Sequence, residues 1–319
     1  MSISSELLSK HRSSIMGMAM ISIMLFHQQW ISWAPFNAFH LWGHYGVDVF
    51  LFVSGFGLTF SLNKNTLVAF YQRRFLRLAP LCFFCGILKW LIYNMNYSVF
   101  YEIKGIGCMT ILGLDLWFIQ TIVVLYLLAP IFYRLINGHF LFLLIVIYSG
   151  CIFTNVFIPD VLNNITGTIN RLPVFIIGMA FATKSNWKGN NIGFLGLLML
   201  LIAMVSTFVT VKNYFHYGND LWMYPMLAFG LISLINIMLI CLEHSPQNVL
   251  TVLKSVGSHS LELYLWHEFV FSCFWLTLNR WCPCELVFII AFAVSFLFAY
   301  LSSFCVHYLM SLFSIKKVR

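Results

Sequence analysis

Apolar runs long enough to cross a bilayer recur along almost the whole chain, separated by short polar segments. A helical crossing takes about 20 mainly apolar residues. Read in order, the runs predict spans near residues 13–34, 43–62, 79–97, 111–135, 139–158, 170–183, 193–211, 222–242, 256–278 and 286–311. Strands of a transmembrane barrel would be about ten residues long with strict alternation. Stretches such as Leu195 to Val211 show no alternation. The predicted fold class is therefore all-α, a polytopic membrane protein with about ten transmembrane helices. No internal repeat, low-complexity tract or linker divides the sequence, so residues 1–319 are expected to form a single integral-membrane domain. The first run, starting near Ser13, is too long for the core of a secretory leader and is expected to stay as the first span.

Charge turns this pattern into a topology. Only 9% of the residues are charged, against 61% hydrophobic, where soluble domains carry roughly a quarter charged residues. With a cytoplasmic N-terminus, ten spans put Lys10, Arg12, Lys64, Arg73, Arg74, Arg77, Arg134, Lys184, Lys188, Lys254, Lys316, Lys317 and Arg319 on the inner side. Lys104, Arg171, Lys212 and Arg280 fall outside, and Lys89 lies within the third span. Positive-inside bias then predicts that both termini are cytoplasmic. The net charge of +8 is thereby accounted for as topology. A nucleic-acid partner is not expected, because the basic residues are dispersed over inner loops and form no exposed face.

Nine cysteines add little. Cys82 and Cys85 have metal-ligand spacing, but their surroundings are apolar and the second pair that a zinc site needs is missing. Buried, inert thiols are the expectation, and no metal site. Cys282 and Cys284 flank Pro283, where a disulfide would be strained.

The candidate chemistry lies in polar residues that membrane spans normally exclude. His27 ends the apolar stretch Ile21 to Phe26, about 20 Å along a helix from Ser13. A neutral imidazole at such a place either takes a proton as a general base or bonds a neighbouring carbonyl as packing. Asp48 opens the second span across a short outer turn from His27. It either orients that imidazole and balances the imidazolium, or serves as an acidic residue at a helix start. Arg73, Arg74 and Arg77 crowd the inner mouth of the third span. Guanidinium forks suit phosphate, while inner loops carry arginine for topology as well. Trp117 opens the fourth span just after Asp115, as a belt residue or a site residue. In the ninth span, Ser260, Glu262, Tyr264, His267 and Glu268 occur in one otherwise apolar stretch. Ser260, Tyr264 and His267 share a helical stripe, and such a cluster is costly in hydrocarbon unless paired.

The order of these motifs resembles the acyltransferase 3 family, the membrane O-acyltransferases of bacterial surface polysaccharides. The resemblance rests on Leu25-Phe26-His27, Gly46-Val47-Asp48-Val49-Phe50 leading to Val53-Ser54-Gly55-Phe56, Tyr71 to Pro80, Leu116-Trp117-Phe118-Ile119 with Pro130, and Ser260 to His267. It implies a ten-helix fold in the inner (plasma) membrane that transfers an acyl group, usually acetyl, from cytoplasmic acyl-CoA to a carbohydrate hydroxyl. It also implies that His27 is the essential first-helix histidine and that Arg73, Arg74 and Arg77 are the inner-face arginine motif. Acetyl-CoA is then a donor substrate, with no permanently bound cofactor. One departure stands out: the family arginine eleven residues before the histidine is Met16 here, with Arg12 one turn earlier. Two other classes use the same buried polar residues: a transporter or flippase for a lipid-linked sugar, and a catalytically silent assembly component. Transporters often carry inverted repeats, which the sequence lacks. The outer loops Asn94 to Gly107, Asp160 to Asn170 and Lys212 to Asp220 spell out no sugar, and the sequence gives no oligomeric state.

Overall fold

A computed structural model describes residues 5–27, 40–95, 116–157, 163–183, 192–211 and 219–312. Among them there is no strand. The helices are α1 (Ser5–His27), α2 (Tyr45–Lys64, after a 3-10 turn over His40–His44), α3 (Leu67–Met95), α4 (Trp117–Phe157), α5 (Asn163–Thr183), α6 (Ile192–Val211), α7 (Asn219–Glu243), α8 (Gln247–Ser258), α9 (Ser260–Leu278) and α10 (Cys284–Leu312). Residues 28–34 of the expected first span, Asp115, the outer segments at 96–107 and 212–218, and Lys104, Lys184, Lys188, Lys212, Lys316, Lys317 and Arg319 lie outside the described residues.

Most of these helices are apolar on every side, as expected where lipid or protein surrounds the whole circumference. By length and composition, Trp42–Lys64, Leu67–Ile92, Trp117–Thr154 and Cys284–Ser311 suffice to cross a membrane. Gly167–Thr183, Gly196–Val205 and Leu227–Glu243 are shorter apolar stretches. Leu141, Phe142, Ile145 and Phe157 on α4, and Ile289, Leu297 and Phe304 on α10, are exposed. Rows of large apolar side chains on a helix exterior suit hydrocarbon and not water.

Three element boundaries differ from the sequence expectation. The expected third span at 79–97 is the later part of α3, which starts at Leu67 and carries the arginine cluster on the same continuous helix, with Pro80 inside it. The expected spans at 111–135 and 139–158 are two arms of α4, separated where His139 leaves helical geometry (φ −137°, ψ 47°). The expected span at 256–278 is broken at His259 (φ −107°, ψ 18°), so that α9 begins at Ser260. The residues before the break form α8, of whose side chains Val256 and the Gly257 position are buried while Lys254 and Ser255 are exposed.

Packing divides the chain into two compact units: Met1–Ile23, Leu41–Thr66 and Val124–Gly257 in the first, Met24–His40, Leu67–Val123 and Ser258–Arg319 in the second. In the first unit α2 packs on α5, α6 on α7, and α7 on α5. Glycines set the closest approaches. A Cβ on Gly55 would lie 2.3 Å from the carbonyl oxygen of Phe175, and one on Gly178 would lie 2.2 Å from that of Phe52. The α1–α8 contact works the same way, since a Cβ on Gly257 would lie 1.8 Å from Ser13 O and one on Gly17 would lie 2.1 Å from Leu253 O. Small residues facing each other let backbones meet and gain dispersion contacts where lipid supplies no hydrophobic drive. Near the start of α1, Lys10 Nζ donates to Glu243 Oε1 at 2.8 Å and His11 Nε2 donates to the same oxygen at 2.5 Å. In the second unit α9 packs on α10, and both pack on α3. Its core is aromatic: Trp266 is fully buried, its ring 4.7 Å from Phe298, and its Nε1 donates to Ser302 Oγ at 2.7 Å.

Two predictions follow from the first unit. Gly257→Ala forces a backbone clash and should destabilise the protein by about 1–3 kcal/mol, the range of overpacking. Thermal unfolding in detergent measures this against Gly138→Ala, whose added Cβ meets nothing within 4 Å. Glu243 ends α7 just outside the expected span, and the hydrogen bonds from Lys10 and His11 hold its carboxyl below the usual carboxylate value of 4.5. A lowered folded pKa contributes stability above the unfolded value that is lost as pH falls through the folded one. Glu243→Gln should therefore lower the unfolding temperature at pH 7, with the difference from wild type closing as the pH is taken below 4.5.

Candidate active site

Every candidate residue except Asp48 falls in the second unit. His27 is the last residue of α1 and belongs to that unit, because the chain passes from one unit to the other after Ile23. Its ring centroid lies 5.3 Å from Phe26 and 5.0 Å from His267, the imidazoles meeting at 74°. The carboxylate of Glu268, an exposed residue of α9, acts on His27 electrostatically.

His267 is held more tightly. It is fully buried, and its Nδ1 lies 3.1 Å from the carbonyl oxygen of Leu263 and 2.9 Å from that of Tyr264. Carbonyls only accept, so Nδ1 carries the proton and donates. In the neutral ring the lone pair is then on Nε2, a buried atom without a hydrogen-bond partner among the described residues. A helix provides this tautomer lock from its own backbone: Leu263 and Tyr264 stand four and three residues before His267, where one turn of helix brings their carbonyls beneath the side chain.

The stripe read from the sequence is realised. Ser260, Tyr264 and His267 are all buried on α9, while Glu262 on the adjoining face is half-buried. The ring of Tyr264 lies 5.4 Å from His267 and 4.6 Å from Phe118, and Phe118 lies 6.0 Å from Trp117. Trp117 is thus connected to His27 by successive ring contacts through Phe118, Tyr264 and His267. Of these, Phe118 entered the sequence reading only within the Leu116-Trp117-Phe118-Ile119 motif.

The arginine cluster lies on the first turns of α3. Arg73 and Arg74 are half-buried and Arg77 is exposed, with Arg74 5.5 Å above the ring of Phe70. Because the segment is helical, Arg73 or Arg74 shares a face with Arg77. Such spacing permits two guanidinium forks to meet one phosphate-bearing ligand.

Asp48 sits in the first unit on α2, with no exposed surface, and Arg171 on α5 is its ionic partner, Nε to Oδ1 at 3.3 Å. The sequence placed Arg171 among outer basic residues. It is buried within α5. The missed signal was an arginine adjoining an apolar run in which only a paired charge is tolerable. Arg12, the substitute considered for the family arginine, lies over Gly57, where a Cβ would come within 2.5 Å of its guanidinium.

Cys82 and Cys85 are buried, and among the described residues neither they nor Cys282 and Cys284 form a disulfide. Among the described residues no three His, Cys, Asp or Glu side chains converge as a metal site would need.

The model of the acyltransferase 3 family, described as an acyltransferase domain, matches residues 15–311, nearly the whole chain. No curated protein and no solved structure matches significantly. A match of that extent, running from the first helix through the histidine pair to the last, means that the chain belongs to the acyltransferase 3 family and is a membrane acyltransferase in kind.

Proposed function

We propose that this protein transfers an acyl group, acetyl in the leading case, from cytoplasmic acyl-CoA to a hydroxyl of a cell-surface or lipid-linked carbohydrate. The observation that carries the reading is the His27–His267 contact at 5.0 Å inside a chain of this family. In this reading the chain crosses the inner (plasma) membrane ten times with both termini in the cytoplasm.

The chemistry needs four things. A carbohydrate hydroxyl is a poor nucleophile, and His27 as general base removes its proton as the oxygen attacks the thioester carbon, a contribution of about 10²–10⁴-fold. The new C–O bond forms, the C–S bond breaks, and the proton passes from His27 to the departing CoA thiolate. Donor phosphates are held at the inner face by Arg73, Arg74 and Arg77 as charge-assisted hydrogen bonds. Orientation of the base belongs to His267 beside it, and the same proposal counts Asp48, whose charge Arg171 balances, among the catalytic residues. Trp117, Ser260, Glu262 and Tyr264 supply the walls and polar contacts for the acceptor or for the packing of α9.

Two outcomes test the reading. His27→Ala should abolish both CoA release and glycan acylation in purified protein supplied with acetyl-CoA and the surface polysaccharide of the cells that make it. Its membrane insertion and unfolding temperature should stay at wild-type values; full acylation by this variant rules the base assignment out. Arg73→Ala and Arg74→Ala should raise the KM for acetyl-CoA about tenfold each, as loss of a charge-assisted bond of ~1.5 kcal/mol implies, with kcat within a factor of three. An unchanged dose response assigns these arginines to topology alone.

A further inference from the structure

The carboxylate of Glu268 has no part in the transfer proposed above. Glu268 follows His267 on α9 and lies in the same unit as His27. It is exposed, while every other side chain from Ser260 to Leu276 is buried or half-buried. Ser272 Oγ donates to its backbone oxygen at 2.9 Å, and among the described residues no hydrogen bond or ion pair reaches its carboxylate.

Position along the helix gives that exposure a meaning. At 1.5 Å per residue, Glu268 lies about 12 Å from Ser260 and about 15 Å from Leu278. In the ten-span reading this is the middle of a crossing. Ionisable side chains at such depth face the bundle interior or a water-filled cavity, because hydrocarbon excludes their charge. The exposed surface of Glu268 is therefore an opening to water within the bundle.

Direction round the helix ties this opening to the site. At about 100° per residue, Glu268 points about 40° from Tyr264 and about 100° from His267, with Trp266 about 160° away on the other side. It thus flanks the buried stripe of Ser260, Tyr264 and His267. His27, half-buried, has its ring 5.0 Å from His267 on that stripe and interacts electrostatically with the Glu268 charge.

A carboxylate left open beside a general base suits one kind of ligand. Ionised, it only accepts hydrogen bonds, and it does so at two oxygens. Carbohydrates present hydroxyl donors on adjacent carbons, which can meet those oxygens in charge-assisted bonds. An acid group on the same sugar would be repelled, more strongly in a water-poor setting than in bulk water.

We infer that Glu268 is an acceptor-binding residue that sets specificity: its carboxylate takes hydrogen bonds from hydroxyls neighbouring the one acylated, and the acylated sugar is a neutral or amino sugar without an acid group. This deepens the acyltransferase reading and rests on it.

The test uses full-length protein in nanodiscs with acetyl-CoA and the surface polysaccharide of the cells that make it. Glu268→Ala should raise the KM for polysaccharide by at least tenfold, as loss of hydrogen bonds to a charged group implies. Its kcat and its KM for acetyl-CoA should stay within threefold of wild type, and its unfolding temperature should not change. Glu268→Asp, which keeps the charge, should recover part of the lost affinity. Fragmentation mass spectrometry of the product made by wild type should find the acyl group on a neutral or amino sugar. An acceptor KM within threefold of wild type in Glu268→Ala overturns the assignment, as does a fall in kcat alone, which would mean that the carboxylate serves His27 and not the sugar. An acyl group on a uronic, sialic or phosphorylated sugar overturns the specificity. If wild-type protein itself releases no CoA, the acyltransferase reading fails and takes this inference with it; an active wild type beside an unaffected Glu268→Ala sinks the glutamate alone.

Discussion

The hydrogen bond from His267 Nδ1 to the carbonyls of its own helix is the contact on which the geometry of the second unit's histidine pair depends. Without it, a buried imidazole has two interchangeable nitrogens and no defined direction for its lone pair. With it, Nε2 is the acceptor, and the ring that faces His27 has a fixed identity. The lock needs nothing beyond one turn of helix, so it forms with α9 and is independent of any ligand. Its cost is the burial of a polar ring with one nitrogen unpartnered among the described residues, of order 1–3 kcal/mol. A cost of that size, at a site next to a second imidazole, is where function and stability usually diverge.

Both units carry charge out of water, and they do it differently. Asp48 and Arg171 neutralise each other across the α2–α5 contact, which the glycines at 55 and 178 draw close. Breaking such a pair by removing one partner typically costs about 3–5 kcal/mol, while the intact pair contributes little net stability. Lys89 has aromatic faces at close to 6 Å. An ion pair fixes register between two helices, and ring faces return part of the cost of a buried ammonium.

Much of this was legible in the residues. The apolar runs gave the helical class and nearly every helix, because a bilayer imposes both a length and a fully satisfied backbone on whatever crosses it. The stripe of Ser260, Tyr264 and His267 follows from helical period alone, and it is buried as a unit. Boundaries fared worse. Nothing in apolar patterning distinguishes one long helix from two with a kink at His139, and the break at His259 lies within an otherwise continuous run. Both depend on a single residue's backbone angles. The helix beneath the arginine cluster was no more legible, since a charged inner segment and a helical one look alike by composition.

What the sequence determined by itself was the kind of molecule and the inventory of its candidate site residues: a helical membrane protein of a recognisable acyltransferase pattern, with His27, His267, Asp48 and the three arginines already named. Tertiary structure decided the pairings. It gave Asp48 the guanidinium of Arg171, set His267 beside His27, and placed Lys89 against Trp266 and Phe269. Periodicity is a local property and assigns a residue to a face; which face meets which comes from long-range packing. In hydrocarbon that packing is driven by small residues and dispersion and not by any pattern that one segment displays alone.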